Sequence, residues 1–284
     1  MIIKLILTIF CWLAVLPIVY GFNFGTHYNL IIILVYASLL FIMFIISRFT
    51  TKIIICVLFS STYLILKDLP SEENLWKAGN FFIIFSAFLP SLWLLRSTAI
   101  TMPSVEKTQN LLSNLVSTKI LSGIQVTSHV LGGVLNIGTF PLLSSVIPKN
   151  SKYRMRQVSG EAAIRGMNTA VLWSPFFVSF AVGQLYLPSQ SAWLGIAFGL
   201  LVALLFNLIS IRFLIGKFTL SYLFEAVSCV KPIFPRLLIL SLSVLAVGQI
   251  FDKTALNAIV IVIPILVVVQ MFRRPETTKS IISN

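Results

Sequence analysis

Long apolar stretches separated by short polar ones run the whole length of the chain. Apolar runs of about 18–20 residues recur, which is the length a helix needs to cross hydrocarbon. The ten-residue alternation expected of barrel strands is absent. The pattern predicts spans at Ile2–Tyr20, Asn29–Ser47, Ile53–Leu66, Asn80–Leu95, Ala162–Tyr186, Ala192–Ile215, Leu237–Ile250 and Ala255–Met271. Ile53–Leu66 and Leu237–Ile250 are short and must borrow flanking residues or sit against protein. The first apolar segment lacks a small-x-small cleavage site and reads as a retained helix. One stretch departs from the pattern. "HVLGGVLNIGTFPLL", His129–Leu143, is apolar enough to enter a membrane but carries Gly132, Gly133, Asn136, Gly138, Thr139 and Pro141.

Composition narrows the class. The chain is 58% hydrophobic and 10% charged, against about 25% charged for a soluble domain. The predicted fold is an all-α polytopic membrane protein, residues 1–284 forming one membrane domain. Within it lie N-terminal scaffold spans (1–79), a transport-like unit (80–215), and C-terminal spans with a short cytoplasmic tail (216–284). The net charge of +13 reads as cytoplasmic loop charge and not as a nucleic-acid surface.

Charge also sets the orientation. Arg48 and Lys52 follow the second span, and Lys149, Lys152, Arg154 and Arg156 form a dense cluster. Keeping Lys and Arg inside puts both termini in the cytoplasm, in what reads as a bacterial inner membrane. All but three of the 21 Lys and Arg (Lys67, Lys77 and Lys253) then lie at or near the cytoplasmic side. Arg96, Lys107 and Lys119 precede the Gly-rich stretch and the Lys149–Arg156 cluster follows it. A single crossing would expose one cluster outside. Leu121–Ile147 is therefore read as a re-entrant hairpin, turning at Gly132–Gly133 and "GTFP", with a kinked crossing helix as the alternative. The count becomes about eight spans plus this hairpin. Ser104–Ile120 is predicted as an amphipathic helix in the cytoplasmic interface, with Ser104 as its cap and Val105, Leu112 and Val116 near one face. A second such helix is expected in "GKFTLSYLFEAVSCVKP".

Few residues offer chemistry. In "GEAAIRGMNTAVLWSPFFVSFAVGQ", Glu161 and Arg165 are spaced to pair on one helix face, and Asn168, Thr169 and Ser174–Pro175 follow. Pro175 should break or kink this span, and Pro90 the fourth. Polar residues beside a break fit either a transporter site or interhelical packing. His129 is a candidate proton site or a hydrogen-bonded structural histidine, and Glu161–Arg165 a candidate ion pair or an interfacial one. Asn207 reads as an interhelical contact. Cys11, Cys56 and Cys229 show no pair spacing and read as buried, inert thiols. No Walker, HExxH or G-x-S-x-G motif is present, and the eight acidic residues fall mostly in loops. No enzyme, metal site or cofactor is expected.

The order of elements carries a resemblance. An interfacial helix (Ser104–Ile120) is followed by a Gly- and Asn-bearing hairpin (Gly123–Ile147), a broken span with Asn168–Thr169, and a full span. This resembles one repeat of the ion transporter superfamily, which includes divalent anion/sodium symporters and arsenite permeases. The likeness is architectural and covers about Asn80–Ile215. Met167 stands in "MNT" where the superfamily signature has Ser. The resemblance implies a secondary transporter of a small anion, coupled to Na⁺ or H⁺, with Asn136, Gly138, Thr139, Asn168, Thr169 and Ser174 as binding residues. No second hairpin unit is visible after Gly216, so a half-length or truncated member, an oligomer, or a separate partner half is expected. The alternative function is a non-transporting assembly factor or complex subunit.

Overall fold

The computed structural model describes residues 2–20, 26–66, 70–116, 119–147, 151–186, 192–215 and 220–283. Every regular element among them is helical. Lys67, Asp68 and Lys149 lie outside the described residues. The chain divides into two compact units, Met1–Pro90 and Ser91–Asn284.

The first unit holds α1 (Ile2–Tyr20), α2 (Thr26–Ile46), α3 (Phe49–Leu66) and the start of α4 (Glu72–Ile100). Val15, Val19, Ala87 and Phe88 are almost fully buried. Tyr36 packs edge-on against Phe82, ring centroids 5.5 Å apart, and its hydroxyl lies 2.8 Å from Ser86 Oγ. No residue of α3 is buried, although Phe59 is 75% and Ile65 77% exposed. A helix apolar all round with nothing covering it belongs in hydrocarbon or against a partner. Its hydroxyls fit that setting, because Ser61 and Thr62 donate back to the Leu58 carbonyl at 3.0 and 2.8 Å. Water is then not needed to satisfy them. Cys56 sits on this exposed helix, whereas Cys229 is buried, so the expectation of buried thiols holds for Cys229 and not for Cys56. The side chain of Cys11 lies outside the described residues.

By length and apolarity, five helical runs among the described residues qualify as membrane spans. A sixth qualifies if the pair bent by 70° at Lys231–Ile233 is one span. The chain is an all-helical membrane protein.

The second unit contains α5 (Pro103–Ser113), α6 (Ile120–Leu135), a 3-10 turn (Asn136–Gly138), α7 (Thr139–Ser144), α8 (Tyr153–Ala170) and α9 (Val178–Tyr186). Then come α10 (Ala192–Ile215), α11 (Leu220–Val230), α12 (Phe234–Ile250), α13 (Ala255–Arg273) and α14 (Pro275–Ser283). Several boundaries differ from those expected. α4 begins eight residues earlier than drawn and continues through Pro90 to Ile100. Met102 caps α5 with Pro103 at its first turn, so Ser104 lies inside the helix. Proline is favoured there because its missing N–H would have no helical partner. α5 stops at Ser113, which leaves Val116 outside it and exposed. The expected span Ala162–Tyr186 is two helices, separated by Val171–Phe177 around Pro175.

The Gly-rich stretch does not turn at Gly132–Gly133. Both glycines lie within α6, and the backbone leaves the helix at Asn136, whose φ is 52°. Asparagine tolerates this region better than most residues because its short amide bonds locally; here Asn136 Oδ1 accepts from the Ile137 N–H at 2.8 Å.

After Asn136 the chain doubles back. Were Ile120–Ser144 straight, Gly123 and Leu142 would lie about 28 Å apart at 1.5 Å per residue. Instead Gly123 abuts Leu112 and Leu115, while Gln109, one turn from Leu112, donates to the Leu142 carbonyl at 2.8 Å and lies 3.0 Å from Ser145 Oγ. Ile120, Ile124, Leu143 and Val146 share one buried cluster, with Met155 packed against it. α6 and α8 consequently run parallel: Ser128 meets Ala163, His129 meets Thr169 and Gly133 meets Trp173. Parallel neighbours need a returning limb, and α7 supplies it.

The starts of α6 and α8 are thus at one end of the bundle. Cysteines placed at the exposed positions Asn114 and Lys152 should react with an impermeant thiol reagent from the same side of the membrane. Labelling from opposite sides would show that the chain does not return.

Candidate functional site

Small residues let α6 and α8 meet closely. A Cβ on Gly166 would fall on the Gln125 carbonyl oxygen, and one on Gly133 would lie 2.7 Å from the Trp173 ring. Ser128 Oγ donates to the Ala163 carbonyl at 2.6 Å. Close backbone approach of this kind is how helices associate where no hydrophobic effect drives them together.

Polar side chains from α6, α8, α10 and the segment after α8 then join in one chain. Ser210 Oγ donates to Gln125 Oε1 at 3.4 Å, and Gln125 Nε2 donates to Asn207 Oδ1 at 3.1 Å. Asn207 Nδ2 donates to Thr169 Oγ1 at 2.7 Å and to the Ala203 carbonyl at 2.9 Å. Thr169 Oγ1 lies 3.0 Å from His129 Nδ1 and donates to the Gly166 carbonyl at 2.8 Å. Trp173 Nε1 donates to His129 Nε2 at 3.2 Å.

These directions assign the imidazole. An indole N–H can only donate, so Nε2 accepts and the ring proton sits on Nδ1, directed at Thr169. Both ring nitrogens are occupied, and an added proton would displace the Trp173 bond. Gln125, His129 and Asn207 are buried, and leaving a buried amide or hydroxyl unpaired costs about 1–3 kcal/mol. Asn207→Leu removes a side-chain hydrogen bond from Gln125 and another from Thr169 together. It should lower unfolding stability by about 2 kcal/mol or more, and Gln125→Leu in the same chain should recover part of that loss, as read by denaturant unfolding in detergent.

The hairpin tip lies beside the helix break. Ser174 Oγ donates to the Gly133 carbonyl and accepts from the Phe176 N–H at 3.1 Å. Pro175, Phe176 and Phe177 are buried with it. At the tip, Gly138 is buried under the stem of Arg96, whose Cδ would lie 2.8 Å from a Cβ there. Thr139 is fully buried and its hydroxyl has no partner among the described residues. Arg96 makes no ion pair among them either; those present are Lys77–Glu73, Lys119–Glu225 and Arg165–Glu161.

No family model, curated protein or solved structure matches this chain. The site therefore has to be read from its own geometry.

Of the residues singled out in the sequence, Asn136, Gly138, Thr139 and Ser174 gather at the tip and the break, and Thr169 and His129 sit one helical turn away in the buried network. Asn168 does not join them: it is exposed on the far face of α8, because one residue along a helix turns a side chain about 100° away from Thr169. Glu161 and Arg165 pair at 3.8 Å, side chains 43% and 41% exposed. An i,i+4 pair this open contributes little.

Arg96 and Gln125 were missed. The apolar run ends the fourth span at Leu95, whereas α4 continues to Ile100 and carries Arg96 within it. Gln125 was legible: Ser122, Gln125 and His129 recur at i, i+3 and i+7, a polar stripe along an otherwise apolar helix. Among the described residues no cluster of three or more His, Cys, Asp or Glu could hold a metal ion.

Proposed function

We propose that this chain is a secondary transporter unit for a small anion, with the hairpin tip and the broken span forming its binding site. One observation carries the reading. The break at Val171–Phe177 reaches the last turn of α6 through the Ser174–Gly133 hydrogen bond, just before the interruption at Asn136–Gly138, with Arg96 laid over Gly138. Arg96 supplies positive charge that no acid neutralises among the described residues. Thr139 offers an unused hydroxyl.

In this reading α6 and α7 form a re-entrant hairpin entering from the cytoplasmic face of a bacterial inner membrane, within about eight spans whose termini are both cytoplasmic. Alternating access moves the hairpin and broken span against the remaining helices, driven by Na⁺ or H⁺. The tip residue Ile137, 67% exposed, is the point at which a second copy or a partner half completes the site. Asn168, on the outer face, plays no part.

The saturated Gln125–Asn207–Thr169–His129–Trp173 network favours a second reading, a subunit or assembly factor whose polar groups serve packing alone. Uptake by proteoliposomes separates the two. The purified chain is tested against a panel of labelled oxyanions and carboxylates, with and without Na⁺ and proton gradients. Saturable uptake of one class supports the transporter; none under any gradient, from folded protein, supports the subunit.

A further inference from the structure

A second arginine-lined pocket borders the last turn of α6 on the side of α12 and α13. The start of α12, the end of α13, the end of α4 and the last residues of α6 border an open cavity of about 220 Å³ lined by Thr98, Arg236, Gln270 and Arg273 among apolar walls that include Leu135, Leu237 and Val267. Arg236 Nη1 donates to Ser104 Oγ in the first turn of α5. No acidic residue lines the cavity. The acid closest in sequence, Glu276, forms no ion pair with Arg273. Thr98, 2% exposed, lines the same cavity with a hydroxyl that has no partner among the described residues.

Two guanidinium groups line one largely apolar pocket with no acid among its lining residues. The arrangement suits an anion. Each guanidinium has five N–H donors in a planar fork, of which Ser104 takes one from Arg236. The fork matches two oxygens of a phosphate. Gln270 and Thr98 add neutral donors on the same side. Apolar walls suit a phosphate that carries a hydrocarbon part, and basic pockets between membrane helices hold lipid headgroups in this way.

We propose that this cavity binds a phosphate-type oxyanion between Arg236 and Arg273, carried by an anionic phospholipid or present as free phosphate. The pocket takes in Leu95 and Leu135 but not Arg96, Gly138 or Thr139, and the proposal does not depend on the transport reading.

The test uses the full chain, delipidated in neutral detergent, and counts bound adducts by native mass spectrometry. Phosphatidic acid, phosphatidylcholine and inorganic phosphate are offered separately and in competition. Phosphatidic acid should bind in preference to phosphatidylcholine. The double variant Arg236→Gln/Arg273→Gln should weaken its binding about ten-fold or more, and Thr98→Val, which leaves every charge in place, should weaken it several-fold. Competition by millimolar phosphate identifies the free ion as a ligand; failure to compete identifies the lipid. Equal binding of the two lipids, or binding by Thr98→Val and the double variant indistinguishable from wild type, would overturn the proposal. If the double variant does not fold, Thr98→Val decides alone.

Discussion

Arg96→Gln should reduce anion uptake by about ten- to a hundred-fold while leaving the fold intact. The magnitude follows from the loss of a charge-assisted hydrogen bond to the bound anion, about 1.5–3 kcal/mol, at 1.4 kcal/mol per ten-fold. The fold should survive because Arg96 has no ion pair among the described residues and contributes only the packing of its stem on Gly138. Arg96→Lys keeps the charge but loses the planar fork and should fall in between.

A second arm isolates position from charge. A Cβ at Gly138 would lie 2.8 Å from Arg96 Cδ, a flexible neighbour that can swing aside. Gly138→Ala should therefore displace the guanidinium, cutting uptake with little loss of stability. Proteoliposome uptake at matched protein, alongside unfolding curves in detergent, reads both quantities. Wild-type uptake by both Arg96→Gln and Gly138→Ala would remove the tip from the transport pathway.

A large stability loss is expected at Gly166. The atoms that a Cβ there would strike are all backbone: the Gln125 carbonyl and the His129 nitrogen. Backbone cannot swing aside, so Gly166→Ala must push α8 off α6. Overpacking of this kind costs about 1–3 kcal/mol, occasionally more. Here the separation also stretches the His129–Thr169 contact, so the upper end is expected. Gly160 lies on the same helix, and a Cβ there meets nothing within 4 Å. Gly160→Ala should be neutral or stabilising by up to about 1 kcal/mol through helix propensity. Equilibrium unfolding should rank Gly160→Ala at or above wild type and Gly166→Ala well below it. Equal stability of the two variants would mean that α6 and α8 do not approach at Gly166.

The sequence by itself determined that this is a helical membrane protein, and it located most of the helices closely. α1 and α10 coincide with the runs drawn, and α12 and α13 differ by only a few residues at one end. These properties depend on the transfer of each segment between water and hydrocarbon, which needs no knowledge of neighbours.

What the sequence withheld is which faces meet. A helix apolar on every side, such as α10, has no stripe to mark its buried face, so Asn207 could be identified as a contact but not matched to Gln125, 82 residues away. The doubling back at Asn136, and not at Gly132–Gly133, was decided by tertiary packing. Those glycines are needed inside α6, against Met167 and Trp173, while the turn went where an asparagine could cap its own backbone. Arg96 became part of the tip for the same reason: a side chain's surroundings are set by contacts that local pattern does not encode.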